Sequence, residues 1–228
     1  MCGRIRQAGD TEQYMESLQW SPRELFAPPN EPRYNVAPGS RPLVLHRLGN
    51  GSEQADSLFW GYKPSWFNKP PRANANLTTI LKGSGMWKSI LTSRIIVPCD
   101  GWYEWTGQKP HKQPWYISPK DSAPLLMAGI TAWRPSGEID AAHGFALVTD
   151  DAAGGMKDLL HDRRPVCLTP DAALAWLNSD VPVNEALELL STPLPESTFQ
   201  WYQVTRAMGN SRYQAADASE PINDHIIS

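Results

Sequence analysis

Proline is the residue that most constrains how this chain can fold. The 228 residues include 21 prolines, which is about 9% of the chain and near twice the usual share. Proline fixes the backbone angle φ and has no N–H to donate, so it ends helices and is excluded from the middle of sheets. We therefore expect loops, short strands and short helices rather than long helices.

Hydrophobic periodicity and turn residues predict many short elements of both kinds. Helices are predicted at residues 11–19, 170–178 and 183–190, and a helix over 77–93 is expected to be broken at its glycines. We expect an α+β fold, a single compact domain with a curved, barrel-like, mainly antiparallel β core and short flanking helices. The strands are predicted at residues 43–48, 57–62, 94–98, 102–105, 114–118, 125–133, 145–149, 165–169 and 199–205. Residues 1–212 should form the domain and residues 213–228 a loose, polar tail.

Charge is distributed unevenly along the chain. The net charge is −3, but residues 1–110 carry 13 Lys and Arg against 9 Asp and Glu, a net charge of +4. The remaining residues carry 8 basic against 15 acidic side chains, a net charge of −7. This asymmetry predicts one face that tolerates a polyanion.

Several classes of protein are excluded by what the sequence lacks. No window approaches 18 apolar residues, so no membrane span is expected. The N-terminus has no apolar stretch typical of a secretory signal, and three cysteines are too few for a disulfide scaffold. We expect a cytoplasmic protein, associated with the nucleoid if it is bacterial.

Cys2 is the first candidate for chemistry. Methionine aminopeptidases remove Met1 when the next residue is small, so the mature chain is expected to begin with Cys2. Its α-amine has a pKa of about 8 and is partly neutral at pH 7, so it can attack a carbonyl group. The adjacent thiol can then close a five-membered thiazolidine ring on the resulting imine. The alternative is that Cys2 is an incidental residue on a frayed terminus.

The segment from residue 60 to residue 94 is a candidate nucleic-acid surface. It contains six basic residues and no Asp or Glu. Basic side chains neutralise phosphates, and aromatic rings stack on exposed bases for about 1–3 kcal/mol per base. The alternative is a basic surface loop whose aromatic side chains lie in the core. The basic residues are Lys63, Lys69, Arg72, Lys82, Lys88 and Arg94, and the interleaved aromatic residues are Trp60, Tyr62, Trp66, Phe67 and Trp87.

Glu104 and His161 are candidate acid–base residues. Glu104 lies within an aromatic strand, where loss of solvent would raise its pKa and make it a usable acid or base. His161 precedes two arginines and would donate a proton beside a phosphate backbone. The alternative for each is a structural hydrogen bond.

No metal or cofactor is expected. The sequence has no Cys-x-x-Cys or His-x-x-x-His spacing and no phosphate-binding glycine loop. Cys99 and Cys167 lie in apolar strand sequence and are predicted to be buried, inert thiols.

These features coincide with the motifs of one family. Seven motifs occur in order, namely Met-Cys-Gly-Arg at the start, Arg-Tyr-Asn-Val-Ala-Pro-Gly at residues 33–39, Trp-Gly-Tyr-Lys-Pro-Ser-Trp at 60–66, Asn-Ala at 74–75, Asp-Gly-Trp-Tyr-Glu-Trp at 100–105, His-Asp-Arg-Arg-Pro at 161–165 and Val-Thr-Arg-Ala-Met-Gly-Asn at 204–210. With these motifs the chain resembles the SOS response-associated peptidase (SRAP) family over about residues 1–212.

The resemblance implies a covalent reaction with damaged DNA. Family members bind single-stranded DNA and single-strand/double-strand junctions, and they crosslink to abasic sites through a mature N-terminal cysteine. Cys2 matches that nucleophile, and Asn74 matches the asparagine that positions the open-chain sugar. Glu104 matches the acid–base carboxylate, and His161 the histidine that assists opening of the sugar ring. The implied protein is a monomer that needs no cofactor or metal.

The resemblance also implies a DNA groove, with departures from the family pattern. Where the family has Asn-Ala-Arg-x-Glu, this chain has Asn76 in place of the arginine and Thr78 in place of the glutamate. A second groove arginine is replaced at Ser84–Gly85. Each lost phosphate contact should flatten the salt dependence of binding by about 0.7 on logarithmic axes. The implied DNA-binding residues are Arg4, Pro38, Trp66, Phe67, Arg72, Asn76, Trp105, Thr149 and Arg163.

Two other functions remain open from the sequence. An N-terminal cysteine with a nearby Glu, Asn and His also suits an N-terminal-nucleophile amidohydrolase or a self-processing peptidase. A chain that lacks the chemistry would be a noncovalent reader of single-stranded or modified DNA.

Overall fold

The structure is a computed structural model that describes residues 2–21, 31–135, 137–223 and 225–227. Within these residues it contains two β-sheets and six short α-helices. The helices are α1 (Thr11–Glu16), α2 (Leu77–Leu81), α3 (Gly85–Lys88), α4 (Gly154–Leu159), α5 (Pro170–Leu177) and α6 (Val183–Leu189). Three 3₁₀ turns lie at Glu196–Thr198, Arg206–Gly209 and Ala216–Ser219. None of the described helices is long and apolar enough to cross a membrane.

The smaller sheet has five strands in the order β13-β8-β7-β1-β2, all paired antiparallel. The larger sheet follows the order β11-β10-β9-β6-β3-β4, with β12 beside β9 and β5 parallel to β10. The strands are β1 (Ile5–Gln7), β2 (Arg33–Val36), β3 (Leu43–Arg47), β4 (Glu53–Ser57), β5 (Asn74–Asn76), β6 (Arg94–Cys99), β7 (Gly101–Thr106), β8 (Gln113–Pro119), β9 (Leu125–Thr131), β10 (Phe145–Asp151), β11 (Arg163–Pro165), β12 (Cys167–Leu168) and β13 (Phe199–Gln203).

The mixed α and β single domain and the mainly antiparallel pairing agree with the prediction. The pairings of the described strands form two separate paths, so the predicted barrel-like closure is not seen among them. The chain passes from one sheet to the other at Asp100, between β6 and β7. Gly101 is required there, because a Cβ atom would lie 2.4 Å from the carbonyl oxygen of Ile117.

The apolar core lies on both faces of the larger sheet, because central strands such as β6 are buried on both faces. In β6, Ile96 packs with the helices on the outer face of the larger sheet, whereas Ile95 and Val97 face the interior between the sheets. Gln7 links the two sheets, since its buried amide donates to the carbonyl oxygens of Leu43 and Pro98. The resulting scaffold holds the N-terminal segment of the chain between the sheets.

The predicted strand over 57–62 is wrong. The strand β4 ends at Ser57, and only single bridges follow, from Trp60 to Phe145 and from Tyr62 to Arg72. Gly61, between them, has a φ of +143°, which breaks a regular strand. The helix predicted over 77–93 is broken as expected, since Gly83 with a φ of +77° separates α2 from α3.

The C-terminal tail packs on the domain instead of being loose. Ile227 forms a two-way backbone bridge with Trp201 of β13, and the Tyr202 hydroxyl donates to the carbonyl oxygen of Ser219. Ala218 is fully buried, and Gln214 bonds to the backbone of β2. The polar composition of the tail concealed these contacts, because most of them are made by its backbone.

Candidate active site

The first strand carries Cys2 into the space between the sheets. In the β1–β7 pair Ile5 lies opposite Trp102, and the Tyr103 N–H donates to the Arg4 carbonyl oxygen. The chain before Ile5 therefore runs along β7 toward Glu104. Cys2 is fully buried in the core between the sheets, so it does not lie on a frayed terminus. Met1, whose removal the sequence predicts, lies outside the described residues.

The Cys2 backbone and thiol are both held in place. The Asn74 side-chain amide donates to the Cys2 carbonyl oxygen over 2.8 Å, and the Cys2 Sγ–H donates to the Arg4 carbonyl oxygen over 3.9 Å. Burial raises the pKa of the Cys2 thiol well above its usual value, and the neighbouring charge of Glu104 adds to this shift. The resting thiol is therefore protonated and must lose its proton to a base when it reacts.

Glu104 has the properties of such a base. It lies on β7 and is almost completely buried. Burial raises the pKa of its carboxyl group to about 7. A carboxyl group that titrates near neutral pH can both accept and return a proton.

His161 approaches the same region from another part of the fold. It follows α4, and its backbone N–H donates to the Met156 carbonyl oxygen. Its Nδ1 accepts from the Arg163 N–H over 3.0 Å when the ring is neutral, and it lies 2.6 Å from Asp162 Oδ1, which pairs with the protonated ring. Partial burial lowers the pKa of His161, which favours the neutral ring.

Shared charges connect three residues that are distant in the sequence. Glu104 shifts the pKa of Cys2, and Asp162 and Lys112 each shift the pKa values of both Glu104 and His161. Such effects fall off with distance, so the three side chains lie in one region. Asn74 joins this cluster through its bond to Cys2, so the four predicted catalytic residues lie together.

A groove of about 930 Å³ opens beside this cluster. Trp66 stands at its rim with 62% of its surface exposed, edge-on to Phe67, with ring centres 6.0 Å apart. The Arg72 guanidinium lies over the Phe67 ring at 5.4 Å. Exposed aromatic rings beside arginines form the kind of surface that binds single-stranded nucleic acid. Seven predicted residues line the groove, namely Trp66, Phe67, Arg72, Asn74, Asn76, Thr149 and Arg163.

The floor of the groove carries buried polar atoms without partners. Strand β5 runs parallel to β10 and places Asn76 beside Thr149. Asn74 Oδ1 and Thr149 Oγ1 are buried and have no hydrogen-bond partner among the described residues. Asn76 also caps α2, since its Oδ1 accepts from the Thr79 N–H over 3.1 Å. Such unpaired groups cost free energy unless a ligand or water satisfies them.

Other predicted DNA-binding residues lie outside the groove lining. The Arg4 guanidinium lies 5.6 Å from the centre of the Trp105 ring and donates to Asn35 Oδ1. Pro38 is exposed in the turn after β2. The aromatic residues between 60 and 94 fall into two groups. Trp60 and Tyr62 are buried in the core, as the alternative interpretation predicted, whereas Trp66 and Phe67 line the groove together with the mostly buried Trp87.

The sequence interpretation missed several groove residues. Pro71, Thr79 and Met86 line it together with the predicted side chains. Their position inside the segment without acidic residues was the indication that the sequence offered. Their residue types, Pro, Thr and Met, are not typical of contacts with DNA. Ser84 and Gly85, noted as departures from the family pattern, also line this wall, which leaves it uncharged.

The two other cysteines share the core cluster of Cys2. Cys99 and Cys167 are buried as predicted, and burial raises the pKa of Cys99 well above its usual value and that of Cys167 to about 12. Among the described residues only Glu138, Asp140 and His143 are grouped closely enough to hold a metal ion. None of the three lines the groove.

Comparison with known proteins gives consistent matches over the whole chain. A family profile described as SOS response associated peptidase (SRAP) matches residues 1–211. The abasic site processing protein YedK of Escherichia coli (strain K12) is 38% identical over 226 residues, which cover 97% of this chain and all of YedK. The abasic site processing protein HMCES of Xenopus tropicalis is 30% identical and matches 80% of this chain, but only 64% of its own length.

A solved structure has a similar fold. The crystal structure of a phage-related protein from Bordetella bronchiseptica superposes with a TM-score of 0.79 and 48% sequence identity. The match covers 90% of this chain and 95% of that chain. The likeness therefore extends over both sheets.

Proposed function

This chain belongs to the SRAP family, and we propose that its mature Cys2 forms a covalent thiazolidine crosslink with the aldehyde of an abasic site in single-stranded DNA. The crosslink would shield the lesion. The names of the relatives support abasic sites as the substrate class. The cluster of Cys2, Asn74, Glu104 and His161 beside an aromatic and basic groove supports the chemistry.

The reaction needs an amine and a thiol on adjacent carbons. The neutral α-amine of Cys2 attacks C1′ of the open-chain sugar and forms a carbinolamine. Loss of one water molecule gives an imine between the amine nitrogen and C1′. The Cys2 sulfur then bonds to C1′ while the imine nitrogen gains a proton, which closes the five-membered ring. The net change is the loss of one water molecule, with no oxidation or reduction.

Glu104 is assigned the proton transfers. Its carboxyl group, with a pKa of about 7, protonates the departing hydroxyl of the carbinolamine and later accepts the thiol proton. The second step is needed because burial and the charge of Glu104 keep the Cys2 thiol protonated. A single carboxyl group that alternates between acid and base serves both steps.

Asn74 and His161 position the sugar. The Asn74 amide already holds the Cys2 carbonyl, and its buried, unpaired Oδ1 would accept a hydrogen bond from a sugar hydroxyl. His161 in its neutral form donates from Nε2 to the ring oxygen, which favours the open aldehyde. An approaching phosphate would raise the pKa of His161 and strengthen this donation.

The groove would hold the strand on either side of the lesion. Trp66 offers an exposed ring for a base, while Arg72 and Arg163 offer charge to phosphates. A missing base removes the stacking that opposes bending at that nucleotide. Single strands and single-strand/double-strand junctions are therefore the expected DNA partners. The protein is expected to bind them as a monomer.

One observation carries the proposal. Asn74 contributes to the groove lining and also bonds to the backbone of Cys2, so the DNA surface and the nucleophile meet at one side chain. Asn74 Oδ1 is buried and has no partner among the described residues, and a purely structural role does not account for such an atom.

The test uses two oligonucleotides that differ only by one abasic site. We expect an adduct that survives a denaturing gel with the abasic strand alone, and none with the intact strand. Its intact mass should equal the chain without Met1 plus the oligonucleotide minus one water molecule. Cys2→Ala should abolish the adduct, whereas the matched control Cys167→Ala should retain it. An undiminished adduct in Cys2→Ala would remove this residue from the mechanism.

The other functions give different results in the same assay. An amidohydrolase or peptidase would turn over an amide or peptide without DNA. A noncovalent reader would shift the strand on a native gel and release it under denaturing conditions, with equal affinity in Cys2→Ala.

A further inference from the structure

A second cavity lies at the other end of the larger sheet. It has a volume of about 220 Å³ and is bordered by Arg47 at the end of β3, Arg94 at the start of β6 and Thr131 at the end of β9. Thr131 pairs with Phe145, the first residue of β10, whereas the groove is reached at Thr149 near the end of that strand. The cavity is thus separate from the crosslinking site.

Three buried donors that belong to the lining of this cavity have no partner among the described residues. They are Arg94 Nη1, Trp133 Nε1 and Arg47 Nε. Arg94 is 7% exposed and Trp133 is 8% exposed. The Arg94 guanidinium is fixed, because its Nη2 donates to the carbonyl oxygens of Asn178 and Val181. A preorganised set of unpaired N–H groups favours a ligand that only accepts hydrogen bonds.

The charge of the lining also favours an anion. Arg47, Arg94 and Arg134 all border the cavity, and no acidic residue is in its lining. Arg47 is paired with Glu53, but Arg94 has no carboxylate partner among the described ion pairs. Asp180 lines a different pocket, which shares Arg47 with this cavity. Burial lowers the pKa of Arg94, as expected for a desolvated cation without a counter-ion.

We propose that this cavity binds a phosphate-type oxyanion through Arg94, Trp133 and Arg134. Guanidinium groups match the oxygens of phosphate, and an indole N–H supplies a further donor. The volume is below the range of about 300–1,000 Å³ typical of pockets for drug-sized ligands, so a single oxyanion group suits it better than a nucleotide. The ligand is either free phosphate or a terminal phosphate on a DNA strand.

Titration calorimetry with inorganic phosphate on the full chain tests the site. We expect saturable binding of one phosphate, and a rise in the melting temperature that grows with phosphate at constant ionic strength. Trp133→Phe keeps the ring but removes the N–H, and Arg134→Gln removes an exposed charge without touching the core. Each should weaken binding about tenfold, the effect of one hydrogen bond to a charged group.

The control is Arg212→Gln, which makes the same charge change at an exposed position outside both sites. It should bind phosphate as the unaltered chain does. Absence of saturable binding, or an equal loss in Arg212→Gln, would overturn the proposal and leave water as the only occupant. Because no abasic DNA is used, this result is independent of the crosslinking function.

A competition distinguishes the two sources of phosphate. Two oligonucleotides are compared that differ only in a 5′-phosphate or a 5′-hydroxyl. If only the phosphorylated strand displaces inorganic phosphate, and Trp133→Phe removes this difference, the site binds DNA ends. If neither strand displaces it, the site binds free phosphate.

Discussion

The side-chain amide of Asn74 donates a 2.8 Å hydrogen bond to the carbonyl oxygen of Cys2, 72 residues earlier in the chain. This bond ties the N-terminal segment of the smaller sheet to β5 of the larger sheet. Cys2 is thereby fixed at the edge of the groove, although it lies outside any regular strand.

Removing this bond should slow crosslinking more than it weakens DNA binding. In Asn74→Ala the Cys2 backbone loses its partner, and we expect the crosslinking rate to fall about tenfold, the effect of one hydrogen bond on positioning. The rate is measured with saturating abasic oligonucleotide, and affinity with intact oligonucleotide. Asn74→Asp removes the donor but keeps the size, so it should resemble Asn74→Ala. A loss confined to affinity would make Asn74 a binding residue only.

Retention of Met1 should prevent crosslinking entirely. With Met1 attached, the Cys2 nitrogen is an amide, and Cys2 has no exposed surface. Chain produced while methionine aminopeptidase is inhibited should therefore give no adduct, and treatment with the purified aminopeptidase should restore it. Intact mass reports the fraction without Met1, and adduct yield should follow that fraction. An adduct on Met1-containing chain would contradict the ring closure.

The pH dependence of crosslinking should report the Glu104 carboxyl group. The rate should rise as the α-amine, with a pKa of about 8, becomes neutral, and fall as Glu104, which must first donate a proton, ionises near its pKa of about 7. In Glu104→Gln the rate should fall about a hundredfold. The pH–rate profile of this variant should show only the rise that comes from deprotonation of the Cys2 α-amine. Single-turnover rates between pH 5 and pH 9 test this, and an unchanged profile in the variant would assign the proton transfers to another group.

Glu104 should also make stability depend on pH. Its pKa is raised from 4.5 in the unfolded chain to about 7 in the folded one, so its folded state holds the proton more tightly. Its contribution to stability is therefore full below about pH 4.5 and is lost as the pH rises toward 7. The free energy of unfolding of Glu104→Gln, relative to the unaltered chain, should grow by up to about 3 kcal/mol over this range. Urea titrations at pH 5 and pH 7.5 measure it, and a constant difference would argue against the raised pKa.

The role of His161 can be separated from that of Glu104 by changing the substrate. His161→Ala should slow crosslinking to a normal abasic site, since the sugar must open before it reacts. With an acyclic abasic analogue that is always an aldehyde, the variant and the unaltered chain should react at the same rate. Comparable slowing with both substrates would show that His161 supports the site structurally.

The salt dependence of DNA binding should report the number of phosphates that the groove contacts, and we expect this number to be small. Arg72 and Arg163 are the arginines in its lining, and the wall at Asn76, Ser84 and Gly85 carries no charge. Arg72→Gln and Arg163→Gln should each flatten the plot of log K against log salt by about 0.7 for a single strand. Thr79→Arg, on the uncharged wall, should steepen it by the same amount. The measurement uses the Cys2→Ala chain, so that only reversible binding is recorded.

Local sequence was sufficient for most of the elements. The helices predicted to begin at residues 11 and 170 do begin there, after the N-caps Asp10 and Thr169, because a cap depends on neighbours three residues away. The strand over 57–62 and the loose tail were wrong because the backbones of Trp60 and Ile227 bond to partners far along the chain. Local patterns contain no information on such partners.

The sequence by itself determined which residue types are available for chemistry in this chain. A cysteine at the second position, a carboxylate among aromatic residues and an acid-free basic segment are properties of residue type and order. Only the tertiary structure decided that Cys2 is buried rather than frayed, that Trp66 is exposed while Trp60 is not, and that the same charged neighbours act on Glu104 and His161. Burial and through-space charge depend on how the two sheets pack, and packing joins residues that the sequence keeps far apart.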